Sequence, residues 1–163
     1  MWRPKDAKEM ITVRELTFEV ELEWSGGGRD GAGRIVTDDL ELEYSTPASM
    51  GGRGVGTNPE ELLVSAVASC YSATLLGLLR RAGLPAGALR VDATGSVTGY
   101  PERARFDRLT VSPTVVGGDP TRRLDYEHIA RLAQARCFIG RTIAGNVAYA
   151  VGSVAVEAAP VAA

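Results

Sequence analysis

Residues 62–79 run for 18 positions without a charged side chain, and that stretch constrains the fold most tightly. A strong helix start precedes it. Asn58 is a good N-cap, Pro59 suits the first helical position, and Glu60 and Glu61 face the positive end of the helix dipole. Glu61 also occupies the capping-box position. Gly83 and Pro85 end the helix at about residue 82. A helix apolar on all sides has to be enclosed, by lipid or by protein. Ser65, Ser69, Ser72 and Thr74 within the run, and amphipathic strands around it, favour protein, so no membrane partner is expected. One modest sheet gives such a helix too little cover. Association of two copies through it is the expected remedy.

The flanking segments read as strands. Leu16, Phe18, Val20, Leu22 and Trp24 alternate with Thr17, Glu19, Glu21 and Glu23, a period of two that predicts a half-buried strand. Residues 25–31 form a glycine-rich turn, after which Leu40, Leu42 and Tyr44 alternate again, as in an antiparallel meander with one wet face. Residues 45–57 are loop by composition. Beyond the long helix, strands are expected at 89–97 and 106–116, with Pro113 placing the second at an edge or a bulge. A second helix is expected at about 121–136, with Leu124, Ile129, Leu132 and Ala133 inward. Val147, Tyr149, Val151, Val154 and Val156 suggest a closing strand interrupted near Gly152. This order predicts an α+β fold with segregated helices. The 163 residues suit a single domain spanning 1–163, with ends at 1–10 and 158–163 loosely held.

Composition narrows the function. A net charge of −2 with 23% charged residues gives no electrostatic footprint for nucleic acid. The opening Met1-Trp2-Arg3-Pro4-Lys5 is followed by charge rather than by an apolar run, so a cytoplasmic, reducing location is expected. Two cysteines make no disulfide framework, and with a single histidine and no CxxC they are too few for a zinc site; neither metal nor cofactor is expected. In a reducing compartment the pair is either packing or redox chemistry. By residue type alone Cys70, in the middle of an apolar helix, reads as a small buried hydrophobe. It lies too far along the helix for the dipole to activate it, so a nucleophilic role requires a cation from elsewhere in the chain. Cys137, on the last turn of an amphipathic helix, is equally open to both readings.

Four segments carry a family resemblance. Residues 58–70, Asn-Pro-Glu-Glu-Leu-Leu-Val-Ser-Ala-Val-Ala-Ser-Cys, resemble the signature helix of the OsmC/Ohr family, in which a cysteine follows a glutamate by ten positions. Gly27-Gly28-Arg29-Asp30-Gly31 resembles the turn that supplies that family's active-site arginine, especially in its organic hydroperoxide resistance branch. Ser45-Thr46-Pro47 and the glycine-rich run to Thr57 look like the segment joining the two. Cys137 followed by Gly145-Asn146 resembles the second-cysteine motif. The chain departs from that motif at Phe138, where proline is usual, at Gly140, where serine is usual, and at Ala144, where a basic residue is common.

The resemblance implies an intertwined homodimer, with antiparallel sheets wrapped around long central helices. It implies a thiol-dependent peroxidase, an antioxidant oxidoreductase of the stress-response kind, acting on organic hydroperoxides. Cys70 would attack the peroxide and become a sulfenic acid, and Cys137 would resolve it as a disulfide. Arg29 would favour the thiolate and the leaving alkoxide, and Glu60 would orient Arg29. An external dithiol, of the lipoyl type borne on a protein, would complete the cycle. Ten residues at 1.5 Å rise put Glu60 about 15 Å from Cys70 on one helix, so Glu60 would serve the thiol of the partner subunit. Leu62, Leu63, Val67, Tyr71, Leu75 and Leu76, with Phe138 and Ile139 beside Cys137, suit an alkyl or lipid hydroperoxide. The competing expectation is a non-catalytic module of the same fold that binds an apolar ligand and keeps its cysteines unreactive.

Overall fold

The computed structural model describes residues 15–159. The chain ends expected to be loosely held lie largely outside that range. Strands β1 (Glu21–Ser25), β2 (Ala32–Val36) and β3 (Glu41–Ser45) form an antiparallel sheet in the order β1-β2-β3. Trp24 pairs with Gly33, and its ring sits 5.3 Å from that of Tyr44. Arg34 bridges Glu23 and Glu41 at 2.8 Å each, tying the three strands together on the solvent side. Of the period-two stretch, only Glu21–Ser25 is paired. Its apolar side chains are not half-buried as expected: Leu16 is 72% exposed, Phe18 85% and Val20 59%. The reason is architectural. The sheet makes no extended contact with the rest of the described chain, so nothing within it covers this face.

Helix α1 (Pro59–Arg81) follows the loop. The Asn58 side chain accepts the Glu61 N–H at 2.8 Å, which satisfies one of the free amides of the first turn. At the other end Gly83 takes φ +64°, and the N–H groups of Gly83 and Leu84 donate to the carbonyls of Arg80 and Leu79 at 3.2 and 3.0 Å. That double bond pattern is the Schellman stop, which favours glycine at the left-handed position. Val67, Tyr71, Leu75, Leu78 and Leu79 form the buried stripe. The opposite stripe, with Ala66, Ser69, Ala73, Leu76 and Gly77, stays exposed. By length and composition α1 could cross a membrane, and only 28% of its most apolar window is buried within the chain.

The second sheet is built on the long antiparallel pair β4 (Ala88–Thr98) and β5 (Arg105–Val116). Two short strands, β6 (Ala148–Val151) and β7 (Ala155–Glu157), pair in parallel with the other side of β5. The interruption expected near Gly152 is the gap between them. Pro113 therefore lies in a central strand rather than at an edge, and the register shift falls at Ser96/Val97 instead. β5 tolerates the proline because Pro113 lies opposite the break between β6, which ends its pairing at Val111, and β7, which begins at Thr114.

Helix α2 (Arg123–Arg136) enters through a one-turn 3-10 segment capped by Asp119. Leu124, expected inward, is 73% exposed. Tyr126 sets the phase: its hydroxyl donates to the Pro85 carbonyl at 2.7 Å and accepts the Asp119 N–H at 3.1 Å. The inward stripe then runs Tyr126, Ala130, Ala133 and Cys137, all fully buried. A further helix, α3 (Phe138–Ile143), follows immediately and was not expected from the sequence. The core lies where the buried face of α1 meets β5 and α2, through Leu109, Val111 and Val115.

Candidate active site

The long run of small and apolar residues in α1 places Cys70 near its middle, half-buried against the core. Cys137 occupies the joint between α2 and α3, with φ −58° and ψ 117°, outside helical geometry. That break turns its side chain into the protein, where it is completely buried. Its sulfur accepts the Gly140 N–H at 3.4 Å, so the thiol caps α3. Both helices pack on α1, which brings the two cysteines together. Burial pushes the Cys137 thiol up to about 11, hydrogen bonding with Cys70 and its charge add to the rise, and the N–H groups of Gly140 and Ile139 oppose it. At neutral pH Cys137 is therefore a protonated thiol.

Two tyrosines complete the cluster. Tyr71 follows Cys70 on α1 and is fully buried; Tyr149 stands on β6. Each has a buried hydroxyl oxygen without a hydrogen-bond partner among the described residues. Burial raises both phenols well above their ordinary range, and Tyr149 is raised further by charge on Cys137, Tyr71 and Cys70. The Tyr149 ring rests on Gly140, where an added Cβ would fall 2.5 Å from Cε1. Glycine at this position is thus dictated by the ring, which gives the departure from the resembled motif a packing cause. Sequence reading assigned Tyr149 to a strand and missed its place at the thiols. The available signal was a phenol within a strand of small residues, Ala-Tyr-Ala-Val.

Phe138 is 60% exposed beside the buried thiol, and Ile139 is half-buried, so the approach to Cys137 is apolar. Glu60 sits in the first turn of α1, and its Oε2 is buried with no partner among the described residues. It faces a groove of about 500 Å³ lined also by Val64, Ala68, Gly95 and Phe106. Arg29 lies on a one-turn 3-10 helix (Gly28–Asp30) between β1 and β2, exposed, with its guanidinium against Gly51. Among the described residues no ion pair joins Arg29 to Glu60. Of the four residues singled out in the sequence, one chain brings Cys70 and Cys137 together and leaves Arg29 and Glu60 apart.

A long central helix, two sheets and a thiol pair at a helix joint define a small α+β dithiol protein. Residues 51–151 match the family described as OsmC-like protein. The chain belongs to the OsmC-like family. It is 32% identical over 133 residues to the uncharacterized protein YmaD of Bacillus subtilis, covering 80% of this chain and 88% of that protein. Its fold is similar to the OsmC-like protein of Mycoplasma pneumoniae, with TM-score 0.71 and 15% identity over 88% of this chain and 99% of that one. It is similar also to the organic hydroperoxide resistance protein OsmC of Legionella pneumophila, with TM-score 0.68 and 22% identity over 86% and 99%. At these identities the structural likeness establishes the α+β OsmC-like fold, with antiparallel strands and central helices.

Proposed function

We propose that this protein is a cytoplasmic thiol peroxidase that reduces organic hydroperoxides to alcohols. The observation that carries the reading is the meeting of the chain's two cysteines, one on α1 and one at the α2–α3 joint, within a buried cluster. The Cys70 thiolate attacks the distal peroxide oxygen; the O–O bond breaks, the alkoxide leaves and is protonated, and Cys70 becomes a sulfenic acid. Cys137 condenses with it to a disulfide and releases water. An external dithiol, of the lipoyl type on a partner protein, then reduces the disulfide by exchange. The apolar approach past Phe138 and Ile139 favours alkyl over hydrogen peroxide.

The working unit is an intertwined homodimer. Support comes from two exposed surfaces that ordinary packing does not leave bare, the apolar face of the first sheet and the uncharged outer stripe of α1, and from the buried Glu60 carboxylate oxygen without a partner among the described residues. A second α1 running antiparallel covers the stripe. The same arrangement lets Glu60 of one subunit hold Arg29 beside a Cys70 thiolate, which the fixed guanidinium charge stabilises.

Intact mass after one equivalent of an alkyl hydroperoxide tests the chemistry. A loss of about 2 Da in the wild type, a gain of about 16 Da in Cys137→Ser and no change in Cys70→Ser are expected. The same dose of hydrogen peroxide should react more slowly. An unchanged wild-type mass would overturn the peroxidase in favour of a module that binds an apolar ligand.

A further inference from the structure

A cation that is to serve a thiolate has to be held in place, and the immediate surroundings of Arg29 supply little. It stands on a single exposed 3-10 turn, and its guanidinium rests on Gly51, where an added Cβ would lie 3.3 Å from Nη1. Gly51 belongs to a loop that braces itself. The N–H groups of Met50 and Gly52 both donate to the Pro47 carbonyl at 3.0 Å, that of Gly51 donates to Ala48 at 2.9 Å and that of Gly54 to Thr46 at 3.1 Å. Residues 46–54 therefore move as one unit, and whatever holds that unit from outside decides where Arg29 stands.

The second sheet holds it through Tyr100. This residue lies in the turn between β4 and β5, and its hydroxyl donates to the Met50 carbonyl at 2.8 Å, 50 positions back along the chain. The turn itself is closed by the Arg103 N–H, which donates to the Gly99 carbonyl at 2.8 Å. Tyr100 is 42% exposed, so burial of the ring does not explain an aromatic here; its hydroxyl is what engages the loop. The same hairpin walls the groove that Glu60 faces, through Val97 and Phe106. Each chain thus refers both groups, the carboxylate and the guanidinium, to one two-stranded element.

Resting on the peroxidase reading, we propose that Tyr100 is a positioning residue for Arg29: its hydroxyl holds the 46–54 loop on the β4–β5 hairpin and so keeps the guanidinium where a Cys70 thiolate can meet it. Tyr100 acts through Arg29 and not on the peroxide.

Tyr100→Phe in the full chain removes one hydroxyl from an exposed ring and should leave the thermal melt close to that of the wild type. Two quantities are read at neutral pH, with Arg29 present and in an Arg29→Ala background. One is the rate of sulfenic acid formation with an alkyl hydroperoxide, trapped with a cyclic diketone; the other is the ultraviolet absorbance of the thiolate. Cys137, raised to about 11, stays protonated under these conditions, so a thiolate signal belongs to Cys70. With Arg29 present, Tyr100→Phe should slow sulfenic acid formation about 5-fold, the worth of one neutral hydrogen bond, and lower the thiolate signal. In the Arg29→Ala background it should change neither, because nothing is left for it to position. A wild-type rate in Tyr100→Phe, or an equal loss in both backgrounds, would overturn the positioning role and leave the peroxidase standing. A wild type that forms no sulfenic acid would overturn the peroxidase and the role with it.

Discussion

At the scale of single residues, Cys137 concentrates the electrostatics of the site, and it leaves a signature in stability. Its thiol is raised from an ordinary 9.0 to about 11 in the fold. Between those values the unfolded chain has released a proton that the folded chain retains, so stability falls as pH rises. The contribution is whole below about pH 9 and gone above about pH 11. Tyr71 and Tyr149, raised by burial, act in the same direction at the alkaline end. Urea denaturation from about pH 8 to about pH 10 should show the decline, and Cys137→Ala should flatten it. An unchanged slope in that variant would assign the alkaline loss to the tyrosines alone. Cys70 and Cys137 were legible in the sequence because their spacing to Asn58-Pro59-Glu60 and to Gly145-Asn146 forms a pattern along the chain. Tyr149 was not, because its meaning depends on Gly140, nine residues earlier, lying under its ring.

Elements were legible to the degree that local chemistry writes them. Both ends of α1 follow from Asn58 and Gly83, each serving a hydrogen-bond need that belongs to the helix itself. Asn58→Ala should therefore cost about 1 kcal/mol, read as a shift in denaturant midpoint without a change in slope. A negligible shift would mean that Thr57, which donates to Glu61 at 3.0 Å, secures the first turn instead. The inward face of α2 was misjudged at Leu124 because a long-range bond from Tyr126 to Pro85 fixes the phase. Helix α3, six residues long, is too short for a periodic signal. Pro113 was read by a rule for central strands that does not foresee two short partners with a gap between them.

At the scale of the whole molecule, the alternation at residues 16–24 was a sound signal for an apolar face, and no other described residue covers it. The family match begins at Gly51, past the sheet that carries Arg29, so that residue's role rests on the sequence around it and on the assembly. Sedimentation without detergent should give a particle of twice 17.2 kDa. Leu22→Glu, placed on the bare face, should shift it toward monomer and lower peroxidase turnover, because the proposed site joins Arg29 and Glu60 only between subunits. A monomer that retains full turnover would sink the shared site. Detergent dependence would point to a bilayer around α1.

The bare sheet has one more consequence. Residues 21–45 are synthesised before the helix that follows them, and their greasy face finds no shelter among the described residues. In the proposed homodimer, completing the fold would be a collision between two polypeptides, with a rate that scales with concentration. Until its twin arrived, each new chain of that dimer would carry an adhesive face, the kind of surface that holdase chaperones bind.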